Sequence, residues 1–475
     1  MIKIDFVKSA LTKDGFYLKN DQILKWLYDR RNTIKVNIQK IKFSELVNWG
    51  FEKETHNLVH SSGKFFSIEG IKVNTNWGSA LEWTQPIINQ PEIGYLGILT
   101  KKIDGVLHFL MQAKIEPGNI NYVQLSPTLQ ATKSNYTQVH KGNPPNYLEY
   151  FRNRTSSSVV LLDQLQSEQG ARFLRKRNRN IILETNEEIE IKEDFCWLTL
   201  GQIHHFLGYD NVINMDTRTV ISGIPFGNYS RDTINLYEAI TPMHSQDLEF
   251  SSGMFLSAIE NDNHKYSFEE IISWITELKS KYELTVDRIP INELKDWNIS
   301  ETKISHKDGK YFNIIPVHAE IENREVSAWT QPLVESVQEG IIAFVVKKFK
   351  GVFHFLVQAK LEAGNLDIIE LAPTVQCLTG NYRKGMNEYE VPFLDYVLEN
   401  MDSDKVKYNT YQSEEGGRFY REQNKNLIID AGDDFSEDLP ENYCWITLNQ
   451  LKTFIQFNNY LNIQARSLIS AIKFI

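Results

Sequence analysis

The chain has 475 residues, of which 41% are hydrophobic, 12% aromatic and 24% charged, the composition of a folded globular protein with material for more than one core. A formal net charge of -10, with no basic tract beyond Arg172 to Arg179, argues against nucleic acid as a partner. No run approaches the roughly 18 apolar residues of a membrane span, the first residues lack the apolar core of a signal peptide, and Cys196, Cys377 and Cys444 show no metal-like pairing, so no membrane contact, a cytoplasmic location and buried thiols are expected.

In chain order, apolar residues at helical spacing predict a helix over 21–26 and a second short one over 43–49. Strands are predicted over 95–99, 106–114, 121–125 and 159–162, with turns at Asp104-Gly105 and Pro117-Gly118-Asn119. The stretches 166–178 and 200–207 read as helices.

These elements return. Residues 83–180 recur almost motif for motif at 329–426. Trp83-Thr84-Gln85-Pro86 matches Trp329-Thr330-Gln331-Pro332, and His108, Gln112 and Lys114 match His354, Gln358 and Lys360. Gln130 matches Gln376, Asn135-Tyr136 matches Asn381-Tyr382, and Glu168 and Arg172 match Glu414 and Arg418. The match extends outward through Leu46 and Trp49 to Leu294 and Trp297, and through Cys196-Trp197 to Cys444-Trp445. So long a period excludes a solenoid, whose repeats run to about 50 residues. Two duplicated α+β domains are expected, 1–235 and 236–475, with the polar stretch 225–264 between them read as loop or linker.

Along the strand 106–114, alternation places Leu107, Phe109, Met111 and Ala113 on one face and His108, Gln112 and Lys114 on the other. That row reads either as the lining of a polar cavity or as a solvated face. On a helix over 166–178, Glu168 and Arg172 would stand four apart as a surface ion pair. Alternatively, Gln166, Glu168 and Arg172 belong to a site where a guanidinium grips a phosphate, with Arg175 adding positive charge. Phosphate loops of the Walker and dinucleotide types, HExxH spacing and a G-x-S-x-G elbow are absent from the sequence.

The strings WTQP, GVLHFLMQAKIEPGN, VQLSPTLQAT, SNYT and DQLQSEQGARFLRKRNRN, echoed by WTQP, GVFHFLVQAK, LAPTVQC and SEEGGRFY, resemble the NDP-hexose 2,3-dehydratase family over essentially the whole chain. The resemblance implies two Nudix-like mixed-sheet domains, a homodimer, and a dTDP-sugar pocket in each repeat. It also implies loss of the C2 hydroxyl from dTDP-4-keto-6-deoxyglucose. Around Ser167-Glu168-Gln169-Gly170 and Ser413-Glu414-Glu415-Gly416 the metal carboxylates of a Nudix box are missing or incomplete. The elimination needs a base, an acid and an enolate-stabilising donor, and neither metal nor nicotinamide cofactor.

On this reading Glu168 or His108 serves as base, and Tyr136 or Lys114 as acid and enolate donor. Trp83 and Gln85 are candidates for thymine, with Gln112, Gln130, Asn135, Gln166, Arg172 and Arg175 as further substrate contacts. The first repeat is expected to work, because Ser126, Lys133, Ser134, Asp163 and Gln164 become Ala372, Thr379, Gly380, Asn409 and Thr410 in the second. A remnant pocket of Trp329, Gln331, His354, Lys360, Tyr382, Glu414 and Arg418 is then expected in the second repeat. A non-catalytic nucleotide-sugar binder and a Nudix-type hydrolase are the alternatives.

Overall fold

A computed structural model describes residues 2–137, 144–152, 158–227, 230–240, 248–259, 262–322, 324, 326–378 and 391–474. The chain opens with helices Ile2–Ala10 (α1) and Asn20–Thr33 (α2), then strand Val36–Lys40 (β1). A small antiparallel sheet follows, made of Trp49–Phe51 (β2), Leu58–His60 (β3), Ser67–Thr75 (β4) and Glu82–Asn89 (β5). The larger sheet comprises Gly94–Ile103 (β6), Val106–Ile115 (β7), Val123–Ser126 (β8), Leu129–Ala131 (β9), Ser158–Ser167 (β10), Arg177–Thr185 (β11) and Phe195–Thr199 (β12). Its order is β10-β11-β6-β7-β12, with β8 on β7 and β9 on β6; β11 and β6 run parallel and the other pairs antiparallel. Helices Lys133–Tyr136 (α3) and Leu148–Arg152 (α4) interrupt it, and Leu200–Phe206 (α5) and Met215–Ser222 (α6) follow it.

Helices Arg231–Ile240 (α7) and Leu248–Ala258 (α8) lead into the second half. It repeats the first: Phe268–Lys281 (α9), Leu284–Ile289 (β13), Trp297–Ile299 (β14), Ile304–His306 (β15), Phe312–Ile321 (β16) and Ala328–Ser336 (β17). Its large sheet is Gly340–Phe349 (β18), Val352–Lys360 (β19), Glu370–Ala372 (β20), Val375–Leu378 (β21), Val406–Ser413 (β22), Gln423–Asp430 (β23) and Tyr443–Thr447 (β24), with helices Leu394–Asn400 (α10), Leu448–Gln456 (α11) and Ile463–Ile469 (α12). The hairpin linking β6 to β7 turns at Asp104 and Gly105, both at positive φ, and its counterpart turns at Lys350 and Gly351 in the same way. Such turns match the twist of paired strands.

Three expectations need correction. The stretch 166–178 is not a helix: β10 runs to Ser167, Phe173 bridges to Ile88, and β11 starts at Arg177. Close packing of Gly170, where a Cβ would lie 2.1 Å from Asn365 Oδ1, overrides the local helical preference. The segment 43–49 forms only a 3-10 turn, Phe43–Glu45, before β2 begins at Trp49. The polar stretch 225–264 holds α7 and α8 rather than a linker, and the boundary drawn at 235 falls inside α7. Helix α8 repeats α1, for Ser9 Oγ donates to Leu107 O and Ser257 Oγ to Phe353 O, each at 2.6 Å.

The halves exchange strands. β1 of the first pairs with β16 of the second in the register Val36↔Ile321, and β13 of the second pairs with β4 of the first in the register Leu284↔Thr75. One apolar core is shared as a result: Phe43, Leu58, Ile68 and Phe173 pack with Ile291, Ile304, Ile314 and Phe419. Gly118 and Gly364 mark the closest approaches, since an added Cβ would sit 1.6 Å from Phe419 O and 1.7 Å from Phe173 O. Two fully buried arginines tie the halves reciprocally. Arg218 donates to Ser413 O, Gln412 Oε1 and Ser467 Oγ, while Arg466 donates to Ser167 O and Thr219 Oγ1. Among the described residues no helix is long and apolar enough to cross a membrane.

Candidate active site

Two related cavities lie between the halves, each walled by both. The first, of about 680 Å³, has a floor from the first half: Tyr95 at the start of β6, Lys114 at the end of β7, Glu116 just beyond it, Gln130 on β9, Asn178 on β11 and Asp216 at the start of α6. Trp49, His60, Phe65 and Phe66 of the small sheet form an aromatic side, with Trp49 and Phe66 centroids 4.8 Å apart and His60 and Phe65 4.5 Å apart. The opposite wall belongs to the second half and holds Arg324, Trp329, Gln331, Glu415 and Arg418.

Hydrogen bonds fix this floor. Lys114 Nζ donates to Gln130 O at 3.1 Å, Gln130 Nε2 to Glu116 Oε1 at 2.9 Å, and Asn214 Nδ2 to Gln130 Oε1 at 3.1 Å. Glu116 is only 4% exposed, and its Oε2 has no hydrogen-bond partner among the described residues. On the far wall Trp329 Nε1 donates to Gln331 Oε1 at 2.9 Å, Gln331 Nε2 to Gly417 O at 2.8 Å, and the Arg418 guanidinium lies 4.2 Å above the Phe66 ring.

Withdrawal from water pushes the Glu415 carboxyl up to about 7, with Arg418 opposing and Glu168 and Glu116 adding to the rise. Burial, then the like charges of Glu415, Glu168 and Glu116, raise Asp216 well above the usual carboxylate range, with Lys114 opposing. Burial lowers Lys176, behind Asn178, to about 8.

The second cavity, of about 750 Å³, repeats the plan with the halves interchanged: Lys360, Glu362 and Gln376 face Trp83, Gln85 and Arg172. Lys360 Nζ donates to Gln376 O at 3.0 Å, Gln376 Nε2 to Glu362 Oε1 at 3.0 Å, and Gln85 Nε2 to Ala171 O at 3.0 Å. The Arg172 guanidinium lies 4.1 Å above the Phe312 ring. Cys377, expected in the core, lines this cavity half-buried, whereas Cys196 and Cys444 are buried.

The sequence-predicted residues are therefore redistributed. Lys114, Gln130 and Asn135 meet Trp329, Gln331 and Arg418 in the first cavity, while Trp83, Gln85 and Arg172 meet Lys360 in the second. Gln112 lines a neighbouring recess of about 170 Å³ beside Lys114. His108 lines neither cavity. It sits six residues from Lys114, about 20 Å along the strand, fully buried with Nδ1 on Val106 O at 2.8 Å, and burial lowers its pKa. His354 is equally enclosed, taking Lys265 N on Nε2 at 2.9 Å, and burial lowers it to about 4.

Glu168 and Glu414 stand one layer behind the cavities, accepting from Asn178 Nδ2 at 2.6 Å and Asn424 Nδ2 at 2.7 Å. Tyr136 packs edge-on against Tyr95 at 5.4 Å without reaching the lining. Gln166 is buried with Nε2 on Ile455 O, and Arg175 is exposed at a left-handed turn whose N–H donates to Gly364 O. The expected Glu168–Arg172 pair does not form: the Glu168 carboxylate accepts from Asn178, and Arg172 lies over Phe312. Tyr382 lies outside the described residues.

Glu116, Asp216, Glu415, Tyr95, Arg324 and the aromatic side were missed from sequence. Glu116 carried a signal, because Glu-Pro-Gly-Asn returns as Glu362-Ala363-Gly364-Asn365. Asp216 and Glu415 did too, as positions where the repeats disagree, their counterparts being Gln464 and Gln169.

The NDP-hexose 2,3-dehydratase family profile matches this chain twice, over residues 20–224 and 268–472. A dTDP-4-dehydro-6-deoxy-alpha-D-glucopyranose 2,3-dehydratase of Saccharopolyspora spinosa is 45% identical over 467 residues, covering 98% of this chain and 94% of that protein. One of the same name from Amycolatopsis orientalis is 43% identical, covering 98% of this chain and 92% of that protein, and one from Streptomyces violaceoruber is 40% identical, covering 94% and 96%. A cavity that gathers carboxyls, a lysine and arginines between two sheets has the makings of a proton-transfer site, and the similarity makes the chain an enzyme. It belongs to the NDP-hexose 2,3-dehydratase family.

Proposed function

We propose that the chain removes the C2 hydroxyl of dTDP-4-keto-6-deoxyglucose, and that the first cavity is where it does so. The observation that carries this is the grouping of Lys114, Glu116 and Glu415 opposite an aromatic side and Arg418. The C4 ketone acidifies the C3 proton, and Glu415, poised near neutral pH, takes it. Lys114 supplies the positive donor for the enolate oxygen on C4. The C2 hydroxyl then leaves as water, and the resulting enol ketonises to a 3,4-diketo-2,6-dideoxy sugar.

Trp329 and Gln331 take the thymine role expected of Trp83 and Gln85, and Arg418, whose Nε is buried without a partner, faces the diphosphate. The second cavity is a remnant. A Nudix-like origin for each half, a homodimeric state and a cytoplasmic location complete the reading and rest on the family resemblance.

Incubation with dTDP-4-keto-6-deoxyglucose tests it. A product lighter by one water and bearing a 3,4-dicarbonyl is expected, in the presence or absence of EDTA. Release of dTMP would mark a hydrolase instead, and recovery of unchanged sugar nucleotide a binder.

A further inference from the structure

Two acidic groups of the first cavity, Glu116 and Asp216, are left unused by the steps above, and of these Glu116 is held by Gln130 Nε2 while Asp216 is held by no described residue. It is the second residue of α6, whose first turn is fixed to the cavity floor by Asn214, donating to Gln130 Oε1 while accepting from Thr217 N at 2.8 Å. Its side chain is 2% exposed, lines the cavity, and makes no hydrogen bond to any described residue. A carboxyl held out of bulk water without a hydrogen-bond donor costs a fold stability. Packing therefore does not account for it. In the second cavity its place is taken by Gln464, equal in polarity but unable to give up a proton at neutral pH.

We propose that Asp216 is the acid that protonates the departing C2 hydroxyl, an assignment that rests on the first cavity being the site of dehydration. Burial first, then the negative charge of Glu415, Glu168 and Glu116, favours the neutral carboxyl as the form that enters the cycle, with Lys114 opposing. Its place in the first turn of α6 favours the anion that remains after transfer.

The step balances. The electron pair left on C3 and the enolate closes the C2–C3 double bond as the C2–O bond breaks, and the oxygen leaves as water carrying the Asp216 proton. During ketonisation the enol returns the O3 proton to Asp216, and C2 receives the proton first taken from C3. Both carboxyls end as they began.

The acid step can be separated from the base step by running the reaction in deuterated water. Asp216→Asn should lose dehydration by about 100-fold or more while still exchanging the C3 hydrogen of recovered sugar, read as deuterium located at C3 by NMR. Asp216→Gln, which installs the side chain around which the second half already folds, should behave alike. Melting temperature and dTDP binding identify any variant that has lost its fold. Dehydration at the wild-type rate in either folded variant overturns the assignment. Loss of both exchange and dehydration with dTDP binding intact overturns it as well, moving Asp216 to the C3 proton. If the wild-type protein itself leaves the sugar unchanged, the dehydration reading fails and this one with it, an outcome distinct from failure of Asp216 alone.

Discussion

The two cavities keep one set of groups in common and differ in another. Lys114 and Lys360, Glu116 and Glu362, Gln130 and Gln376, Gln331 and Gln85, and Arg418 and Arg172 hold equivalent places, as do Trp329 and Trp83. Asp216 and Glu415, by contrast, are answered by Gln464 and Gln169, and Tyr95 and Thr132 by Ile341 and Leu378. The shared set combines aromatic, amide and guanidinium groups, which suit a charged, planar ligand, with one lysine and one glutamate. The differing set holds two carboxyls, Asp216 and Glu415, that the second cavity replaces with amides. The two cavities thus share a framework and differ chiefly in their carboxyls.

The largest effect should come from the carboxyls. Glu415→Gln is expected to lower turnover of the 4-keto sugar by about 100- to 10,000-fold, whereas Gln169→Glu should change it less than about twofold. Equal sensitivity of the two would erase the distinction between the cavities. Next come the buried arginines, where the halves should behave alike: Arg218→Met and Arg466→Met each strand several carbonyl and hydroxyl acceptors and should cost about 3–5 kcal/mol in urea unfolding. An unequal pair would mean that one half carries the fold.

Lys114→Ala should lower turnover by about 100-fold and the melting temperature by only a few degrees, with Lys360→Ala near wild type in turnover. Trp329→Ala should raise KM by about tenfold through lost base stacking, and Trp83→Ala should leave it in place. Steady-state kinetics on the four variants decides both pairs.

A smaller effect concerns Lys452, which stands where the first half has His204 and donates to Ser222 O at the end of α6. Burial lowers its pKa to about 7. The unfolded chain then binds the extra proton between pH 7 and about 10.5, so this residue makes stability rise with pH across that window. Lys452→Met should flatten that rise in thermal melts.

The duplication, the hairpin at Asp104-Gly105 and the strand carrying Lys114 were legible because they depend on local pattern and on motifs written twice. The misread helix over 166–178 shows the limit. Glu168 and Arg172 have helical spacing, but Gly170 is held against Asn365 of the other half, and nothing local encodes that contact. His108 shares a strand face with Lys114 yet ends in the core, since alternation gives a side and not a depth. Nor does one repeat by itself reveal that Trp83 and Lys114 line different cavities.

That exchange bears on how such a protein could arise. A chain of one repeat would carry a floor without its opposite wall, so only two copies facing one another could enclose a ligand, and every residue would then appear in both cavities at once. Joining the copies end to end lifts that constraint. Aspartate can stand at 216 while glutamine stands at 464, and the two cavities are free to diverge.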